Sequence, residues 1–501
     1  MSTGLNWDAA EAMAVRFAAD WASASPGGAI VMFDESGIRY ARSGGAESLA
    51  TRVPFSADTV VRYASVTKHA FASLVLSQAG RIGLDDTLGQ HLPELQPPLA
   101  AVTVGQALDM TGGLPDVREC LTLLGLSVFT ETKADDLYAF LTRMTRLNYQ
   151  AGHEISYSNT GYRLVETALQ RKGISFRDYI RAEGPALGVV FDAPEVWNEP
   201  VDDLAPGYWH DSSGWQLSAA GLHISASGSM TGSANALAAW ARALMRSEGA
   251  FAGVLDTLSA PRPLADGRLT GYGLGIRRNN LGDRVLVGHG GSHPGYKTQF
   301  LIDQKSRTGI VVVSNREDVN TYKIAFETMA ALLGETLPQT KAGLPDGLFV
   351  TETGPWWIEI KGDQITYLDS TDSLYDDGEG WVSSRSGSSP IRLKVEGGDI
   401  VGEVGHAERR FMPAGDRGIA GSLSGRYLSP EGAMLEIDGG AVVMGAGPVR
   451  HRMPLTSLGS GRYLFTLIDG PWTKRVCLNM LDENRFELVL SRARMIEYSR
   501  M

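Results

Sequence analysis

The chain has 501 residues, 43% of them hydrophobic and 21% charged, with a formal net charge of −11 and a pI near 5.4. A single hydrophobic core stops growing at roughly 250–300 residues, so this length predicts two or three domains of a globular protein. The acidic balance argues against a nucleic-acid partner and against an anionic membrane surface, because both require a basic face.

The cysteines and the amino-terminal stretch indicate the cellular compartment. Only Cys120 and Cys477 are present, far apart in sequence, which favours a reducing compartment over a disulfide framework. The first 25 residues carry acidic side chains and no long apolar run, so they predict an amphipathic helix rather than a secretion signal. No segment reaches the roughly 18 consecutive apolar residues of a membrane span. We therefore expect a cytoplasmic protein with no membrane partner.

The first two thirds of the chain predict one domain. Residues 28–63 begin with two β-rich runs on either side of turn residues 34–37, which predicts a hairpin. Helical periodicity dominates from residue 65 to about 250. Residues 270–318 alternate with period two between Gly, Asn and Asp breaks and predict three antiparallel strands, and residues 322–334 return to a helix. This order predicts an α+β fold, an antiparallel sheet flanked by helices with a helical insertion.

The last third predicts only β-structure. Residues 335–347 carry two prolines and two glycines without periodicity, as domain linkers do. Short alternating runs separated by turns follow, which predicts two small antiparallel β-barrels that are divided by a break near 413–424. Both pieces end on similar basic runs, HAERRFMPA and SRARMIEYS. The expected domain limits are 1–335, 345–415 and 420–501.

Ser65 and Lys68 form the only Ser-x-x-Lys of the chain, at the start of an apolar helical run. A serine hydroxyl becomes an effective nucleophile when a base takes its proton, and a lysine can do so when burial depresses its pKa. Residues three apart on a helix are neighbours, so we expect the Lys68 amine beside the Ser65 hydroxyl. The first helical turn would leave the Ser65 N–H free to donate to an oxyanion. A chance occurrence of this short pattern is the alternative.

A second stretch offers groups for the same chemistry. Tyr157 and Asn159 lie in a polar turn ahead of a predicted helix. The tyrosine would relay the Ser65 proton to the leaving group, and the asparagine would hold the Lys68 amine and a substrate carbonyl. Alternatively, Asn159 caps the helix and Tyr157 packs against it.

A third stretch, around His289, follows a predicted strand. Gly290 and Gly291 would let a peptide-like substrate approach and pair with the strand edge. His289 would orient the substrate, and the N–H of Ser292 would be a second oxyanion donor. A glycine-rich hairpin with an incidental histidine is the alternative.

In this order, a Ser-x-x-Lys on a helix, a Tyr-x-Asn before another helix and a His-x-Gly on a strand resemble the penicillin-recognising serine hydrolase family. That family includes class C β-lactamases, DD-peptidases, D-aminopeptidases and related esterases. The stretches GLDDTLGQHLPEL, TGGLPD and GSMTGSANALAAWARAL also resemble sequence segments that are common in the family. The resemblance covers roughly residues 8–335. It implies a β-lactamase/DD-peptidase-like fold and acyl-enzyme chemistry in which Ser65, Lys68 and Tyr157 are catalytic.

Two features narrow this resemblance. Histidine stands at position 289, where β-lactamases and DD-peptidases of the family carry a lysine, and D-aminopeptidases and several esterases share the histidine. The two β-barrels resemble those of D-aminopeptidases, in which a loop of the last barrel enters the active site and helps bind the substrate amino terminus. The matching region predicts that Asp469–Lys474 is the intruding hairpin tip and that Asp469 pairs with a substrate ammonium. An ordinary Asp-Gly-Pro turn is the alternative.

The sequence departs from the D-aminopeptidase pattern in the charge of one strand residue. Arg277 or Arg278, on the strand before His289, falls where D-aminopeptidases tend to have asparagine near the amino-terminal pocket. A guanidinium there would repel an ammonium and favour a carboxylate or an acyl carbonyl. An arginine that points into solvent would have no such effect.

We therefore expect a serine hydrolase that releases small D-amino acids from the amino end of short peptides or amides. A carboxylesterase on small acyl esters with the same residues is the first alternative, followed by a β-lactamase and a non-catalytic ligand-binding protein. No cofactor and no metal are expected, because glycines between His289 and His293 prevent a shared helix and no Cys or acidic cluster accompanies them. The sequence leaves a homodimer open.

Overall fold

A computed structural model describes residues 4–415, 418 and 423–501. The strands of the first part are β1 (Gly28–Asp34), β2 (Ile38–Gly44), β3 (Val61–Arg62), β4 (Tyr208–Asp211), β5 (Gly214–Leu217), β6 (Thr231–Gly232), β7 (Arg277–Leu281), β8 (Arg284–His293), β9 (Tyr296–Asp303) and β10 (Thr308–Ser314). Its helices are α1 (Trp7–Ala18), α2 (Thr67–Ser77), α3 (Leu88–His91), α4 (Val104–Leu108), α5 (Val117–Leu123), α6 (Ala134–Thr142), α7 (Thr160–Gln170), α8 (Phe176–Ala186), α9 (Ala234–Arg246), α10 (Val254–Ser259) and α11 (Thr321–Leu333).

The centre of this part is a six-stranded antiparallel sheet in the order β2-β1-β10-β9-β8-β7. Both of its faces are covered, which explains why β1 and β10 are nearly continuous apolar runs. Ala29 and Val31 point into one core with the helical insertion, whereas Ile30 and Met32 point into a second core beneath α1 and α11. The predicted hairpin, the amino-terminal helix and the closing helix are confirmed.

The sequence between 270 and 318 holds four strands, so the prediction of three is wrong by one. Arg277 and Arg278, expected on a strand before His289, lie on β7, which reads Arg-Arg-Asn-Asn-Leu at the edge of the sheet. The polar residues of β7 weaken the period-two alternation from which the number of strands was counted. Gly282, with a φ of +56°, makes the tight turn into β8.

The rest of the described chain is β-structure. One nine-stranded antiparallel sheet contains β11 (Gly347–Thr351), β12 (Trp357–Lys361), β13 (Gln364–Tyr367), β14 (Ser370–Ser373), β15 (Tyr375–Asp376), β16 (Val382–Ser383), β17 (Ile391–Glu396), β18 (Asp399–Val404) and β19 (Ala407–Pro413). The other contains β20 (Gly425–Leu428), β21 (Met434–Asp438), β22 (Ala441–Ala446), β23 (Val449–Pro454), β24 (Thr456–Gly459), β25 (Arg462–Asp469), β26 (Trp472–Met480), β27 (Arg485–Val489) and β28 (Ile496–Arg500).

The two sheets repeat one topology. In each, the fourth to first strands lie side by side and the ninth to fifth strands continue from the first, giving β14-β13-β12-β11-β19-β18-β17-β16-β15 and β23-β22-β21-β20-β28-β27-β26-β25-β24. The predicted fold class, an α+β domain followed by two small antiparallel β-barrels, is confirmed. The domain limits stay a proposal, and part of the predicted break near 413–424 lies outside the described residues, as does the proposed start at 420.

The last β-barrel is packed against the first part of the chain. Its Tyr427, Phe465 and Phe486 belong to the same buried cluster as the helical insertion. Cys120 and Cys477 are buried and unpaired. Within the described ranges, the structure contains no helix of the length and apolarity that a bilayer crossing requires.

Candidate active site

Ser65 lies in a short 3₁₀ turn, Ala64–Val66, that leads directly into α2, and Lys68 stands one turn further on. Lys68 is fully buried, while Ser65 is partly exposed. The Lys68 Nζ lies 3.1 Å from Ser65 Oγ, 2.8 Å from Asn159 Oδ1 and 2.7 Å from the carbonyl oxygen of Ser227. The structure thus brings the first and second sequence motifs together.

The chemistry of these three neighbours orients the lysine amine. A carbonyl oxygen only accepts hydrogen bonds, so Asn159 Oδ1 and the Ser227 carbonyl each take one N–H of Lys68. A neutral amine has two such hydrogens and one lone pair, and that lone pair then faces the Ser65 hydroxyl. In this state Ser65 donates to Lys68, which is the arrangement needed for proton removal from a serine nucleophile.

The surroundings favour the neutral amine. Burial lowers the pKa of Lys68 well below its ordinary value of 10.5, and the negative charge of Asp116 opposes that shift. Arg492, Arg277 and Arg118 lower the pKa further through charge repulsion.

Asp116 orients the asparagine that holds the lysine. Its Oδ2 accepts from the Asn159 N–H at 2.7 Å and from Asn159 Nδ2 at 2.8 Å, which fixes Oδ1 as the amide atom that faces Lys68. Its Oδ1 caps α5 by accepting from the N–H groups of Arg118 and Glu119. The Asn159 side chain therefore does not cap α7, the alternative role for this residue.

Asp116 and Ser227 are functional residues without a predicted role. The stretch TGGLPD, which ends on Asp116, was the available signal for the first of them. Ser227 contributes only a backbone carbonyl, whose position is held by the Ala226 N–H donating to the buried Glu166 at 2.9 Å.

The backbone around Ser65 is strained and closely packed. Ala64 has a φ of +51°, a left-handed conformation that costs a non-glycine residue about 1 kcal/mol or more. β8 passes directly over this turn, and a Cβ on Gly291 would lie 2.0 Å from the Tyr63 carbonyl oxygen. A Cβ on Gly290 would lie 2.6 Å from Gln299 Oε1. Gly291 is therefore required for the close approach of strand and turn.

The predicted oxyanion segment borders the Ser65 cleft. Pairing between β7 and β8 ends at Gly288, so β7 leaves residues 289–293 uncovered on that side. Gly290, Gly291 and Ser292 line the cleft together with Ser65. The Ser292 hydroxyl accepts from Lys297 Nζ at 2.7 Å.

Tyr157 is buried beside the lysine. The Lys68 Nζ lies 4.8 Å from the centre of its ring, and Arg277 and Arg492 approach the same ring at 5.4 and 4.8 Å. Burial raises the pKa of Tyr157 above its ordinary 10.0, opposed by Arg277 and by the nearby Ser65 hydroxyl. The phenol makes no hydrogen bond of ordinary geometry to any described residue. It is a protonated donor at the cleft wall, close to the Ser65 hydroxyl.

His289 is placed behind the cleft rather than in it. It is 1% exposed, its Nδ1 donates to the Gly290 carbonyl at 2.6 Å, and its Nε2 therefore accepts from the Tyr272 hydroxyl at 2.9 Å. Burial lowers the pKa of His289 well below its ordinary 6.5, so the ring is neutral. Both ring nitrogens are thus hydrogen-bonded within the protein, and the ring lies against Tyr157 at a centroid distance of 6.0 Å. The predicted role of His289 in orienting the substrate stays a prediction.

Asp469 docks the hairpin on the loop after α5. Its Oδ1 accepts from the Ser127 hydroxyl at 2.6 Å and its Oδ2 accepts from the Val128 N–H at 2.5 Å. The pairing of Asp469 with a substrate ammonium stays a prediction.

A different loop of the last β-barrel enters the cleft, residues 490–494 between β27 and β28. Its Arg492 lines the cleft. Glu119 accepts from the N–H groups of Arg492 and Ala493 at 2.6 and 3.1 Å, and the Arg492 carbonyl accepts from the Asp116 N–H at 2.8 Å. The basic run SRAR was the available signal for this loop.

Two cavities meet at Ser65, Arg118 and Asn159. The wide cavity has a volume of about 490 Å³ and is lined by Arg277, Arg492 and the β8 glycines. The narrow one, about 30 Å³, is lined by apolar side chains such as Trp197 and Leu222 together with polar ones such as Arg163 and His223. Arg278 does not reach the cleft, because its guanidinium donates to the Ser259 carbonyl.

The His, Cys, Asp and Glu side chains of residues 4–415, 418 and 423–501 form no group of three or more that could hold a metal ion. His293 Nε2 donates to the Gly228 carbonyl at 2.9 Å.

The chain is similar in sequence to known proteins. A family model described as Beta-lactamase matches residues 13–333. A D-aminopeptidase of Cereibacter sphaeroides is 24% identical over 95% of this chain and 96% of its own, and a D-aminopeptidase of Brucella anthropi is 24% identical over 74% of this chain and 69% of its own.

Solved structures show the same fold. The octameric penicillin-binding protein homologue from Pyrococcus abyssi superposes with a TM-score of 0.55 at 18% identity, over 99% of this chain and 100% of its own. The D-amino acid amidase from Ochrobactrum anthropi SV3, complexed with L-phenylalanine amide, gives 0.54 at 21% identity, over 65% of this chain and 97% of its own.

Proposed function

Because the chain belongs to the Beta-lactamase family, whose members with this site are serine hydrolases, we propose that it releases small D-amino acids from the amino end of short peptides or amides. The reaction proceeds through an acyl-enzyme on Ser65. One observation carries the proposal: the Lys68 amine is fully buried, is held by two carbonyl oxygens and is 3.1 Å from the Ser65 hydroxyl.

Acylation begins as Ser65 Oγ attacks the substrate carbonyl carbon and passes its proton to the neutral Lys68 amine. Negative charge develops on the carbonyl oxygen, and the N–H groups of Ser65 and Ser292 are the proposed donors to it. The remaining N–H of Asn159 Nδ2, not used by Asp116, is available to a substrate carbonyl.

Expulsion of the leaving group requires a proton on its nitrogen as the C–N bond breaks. Tyr157 supplies it and regains a proton from Lys68, which returns to the neutral state. Burial raises the pKa of Tyr157, so the phenol is the resting form and the residue acts as an acid rather than as a phenolate base. Water then attacks the acyl carbonyl, with Lys68 again as the base, and releases Ser65.

The preference for a D-residue is supported by the D-aminopeptidase relatives, one of which aligns with nearly the entire chain, both β-barrels included. The preference for a small residue is supported by the narrow cavity of about 30 Å³ at Ser65, which suits a methyl group better than a large side chain.

A carboxylesterase is the second candidate, and one observation favours it. An aminopeptidase needs a group that receives the substrate ammonium, yet the carboxylates that line the wide cavity are engaged elsewhere. Glu317 pairs with Lys297 at 2.6 Å, and Asp318 pairs with Arg316 at 2.6 Å. A small acyl ester needs no such partner.

Turnover of D-alanine p-nitroanilide and of p-nitrophenyl butyrate, with L-alanine p-nitroanilide as the stereochemical control and Ser65→Ala as the blank, separates the candidates. We expect cleavage of the D-amide, little cleavage of the L-amide, and a loss of at least about a thousandfold in Ser65→Ala. Ester cleavage without amide cleavage would favour the esterase.

A further inference from the structure

Residues 223–228 form an irregular loop between β5 and β6, and the backbone of this loop carries the Ser227 carbonyl. The carbonyl accepts from the Lys68 Nζ at 2.7 Å. Together with Asn159 Oδ1, it turns the lysine amine toward Ser65. Because these loop residues belong to neither a helix nor a strand, the direction of the carbonyl depends on the side chains that hold the loop from behind.

Two buried side chains of α7 hold the two ends of this loop. Arg163 donates from Nη1 to His223 Nδ1 at 3.1 Å and from Nη2 to the His223 carbonyl at 2.5 Å. Glu166 Oε2 accepts from the Ala226 N–H at 2.9 Å. Residues three apart on a helix are neighbours, so one face of α7 presents a cation and an anion to the loop.

The residue after Ser227 is fixed from the opposite side, by β8. The Gly228 carbonyl accepts from His293 Nε2 at 2.9 Å, and a Cβ on Gly228 would lie 2.9 Å from the same nitrogen. Ser227 therefore lies between two residues whose backbone is bound to buried side chains. Loss of either hydrogen bond would give the Ser227 backbone freedom to turn.

The surroundings of Glu166 suit a permanent hydrogen-bond acceptor. Burial raises the pKa of Glu166 to about 7. The Ala226 N–H and Arg163 oppose this rise in pKa, and Glu195 adds to it. His223, which faces the same carboxylate, has its Nε2 at 3.7 Å from Glu195 Oε2. Since a carboxylate and a neutral carboxylic acid both keep an oxygen that accepts, the hold on the Ala226 N–H persists in either state.

We infer that Glu166 is a positioning residue for acylation. By binding the Ala226 N–H, it fixes the direction of the Ser227 carbonyl, and that carbonyl keeps the lone pair of Lys68 on the side of Ser65. The effect depends on the reach of the side chain, because an acceptor that stops short leaves a buried N–H without a partner. The inference rests on the Ser65–Lys68 chemistry of the proposed function and is independent of the substrate.

Two conservative variants separate the reach of this side chain from its charge. Glu166→Gln keeps an oxygen at the same reach and loses the negative charge. Glu166→Asp keeps the charge beside Arg163 and is one methylene shorter, so it cannot make the 2.9 Å bond to the Ala226 N–H in the same geometry. The measured quantity is the rate at which a reactive fluorophosphonate labels Ser65, which requires no knowledge of the substrate.

On the pH-independent plateau we expect Glu166→Gln to retain most of the labelling rate. Glu166→Asp should label about tenfold to a hundredfold more slowly, as small displacements of catalytic groups cost. Glu183→Asp, on α8, is the matched control and should label at the native rate. Urea unfolding of each variant measures any accompanying change in stability.

The pH profile of labelling distinguishes a misdirected carbonyl from a loosened site. A hydrogen bond to the ammonium form favours that form, so loss of the Ser227 carbonyl should lower the pKa of Lys68. The acid limb should then move to lower pH in Glu166→Asp. A loosened and hydrated site would bring the pKa of Lys68 back toward its ordinary 10.5 and move that limb to higher pH. Asp116 and the arginines that face Lys68 are unchanged in the variant.

Native labelling rates in both variants would overturn the inference, as would slower labelling in Glu166→Gln than in Glu166→Asp. An acid limb that moves to higher pH in Glu166→Asp would also overturn it. If Glu166→Asp does not fold, Glu166→Gln and amide hydrogen exchange of the native chain decide. Retained labelling together with a slowly exchanging Ala226 amide supports the inference, and a loss above about tenfold or a freely exchanging amide overturns it.

Failure of the inference and failure of the proposed function give different results. A chain that labels at Ser65 but cleaves no D-amide refutes the proposed substrate, and the two Glu166 variants still decide the inference. Native labelling in both variants, with D-amide turnover intact, overturns the inference alone. A native chain that does not label at Ser65 overturns both.

Discussion

The Tyr157→Phe substitution should separate activity from stability. The phenol of Tyr157 is buried and has no hydrogen-bond partner of ordinary geometry, so its removal breaks at most a poorly aligned contact with the Ser65 hydroxyl. The phenylalanine ring keeps the packing against Lys68, Arg277 and Arg492. We therefore expect the free energy of unfolding to stay within about 1 kcal/mol of the original value or to rise slightly, since an unpaired buried hydroxyl is itself costly.

The effect on catalysis should depend on the leaving group. An amide nitrogen must be protonated as it departs, so loss of the acid should lower kcat/KM for D-alanine p-nitroanilide by about 10²–10⁴-fold, equivalent to roughly 3–5.5 kcal/mol. A p-nitrophenolate leaves as a stable anion. The loss on p-nitrophenyl butyrate should therefore stay below about tenfold.

The assay pairs urea unfolding with initial rates on both substrates. Equal losses on ester and amide would show that Tyr157 acts before leaving-group departure, for example as the base for Ser65. A loss of stability above about 2 kcal/mol would show that the hydroxyl is bonded after all. Either result would refute the role of Tyr157 as a dedicated acid.

Two further predictions concern charge and packing. Activity should fall at low pH as Lys68 takes up a proton. The positive charge of Arg492 lowers the pKa of Lys68, so Arg492→Ala should raise that pKa. The acid limb of the kcat/KM profile should therefore move to higher pH. An unmoved limb would exclude Lys68 as the titrating base. Gly291→Ala places a Cβ 2.0 Å from the Tyr63 carbonyl oxygen and should cost about 1–3 kcal/mol of stability and at least about tenfold in activity. Gly80→Ala, with open space around the new Cβ, is the control and should leave the thermal unfolding temperature and the reaction rate unchanged. Equal stability and activity of the two variants would contradict the close approach of β8 to the Ser65 turn.

Local geometry explains which parts of the site could be predicted. Residues three apart on a helix are neighbours whatever the fold, so the proximity of Ser65 and Lys68 followed from their spacing alone. The hairpin and the strands between residues 270 and 318 were predictable because β-forming residues lie between Gly, Asn and Asp breaks. Their number was undercounted by one because β7, at the edge of the sheet, carries polar residues that weaken the alternation.

Tertiary packing decided the rest. The carbonyl of Ser227 has no side-chain signature, and Asp116 acts through Asn159, a contact between positions 43 residues apart. The hairpin at Asp469 has the composition of an exposed turn. Whether it enters the cleft or docks beside it depends on the orientation of the last β-barrel against the first part of the chain. The docking of that barrel brings Arg492 into the cleft, and no local pattern encodes it.

The central claim is that Lys68 activates Ser65 as a nucleophile. Peptide mass spectrometry after treatment with a reactive fluorophosphonate tests it most directly, with the Ser65→Ala and Lys68→Met variants alongside. We predict one adduct on the peptide that contains Ser65, none in Ser65→Ala, and labelling slowed by at least about a hundredfold in Lys68→Met. A folded chain that remains unlabelled at Ser65, or equal labelling rates with and without the lysine, would contradict the claim.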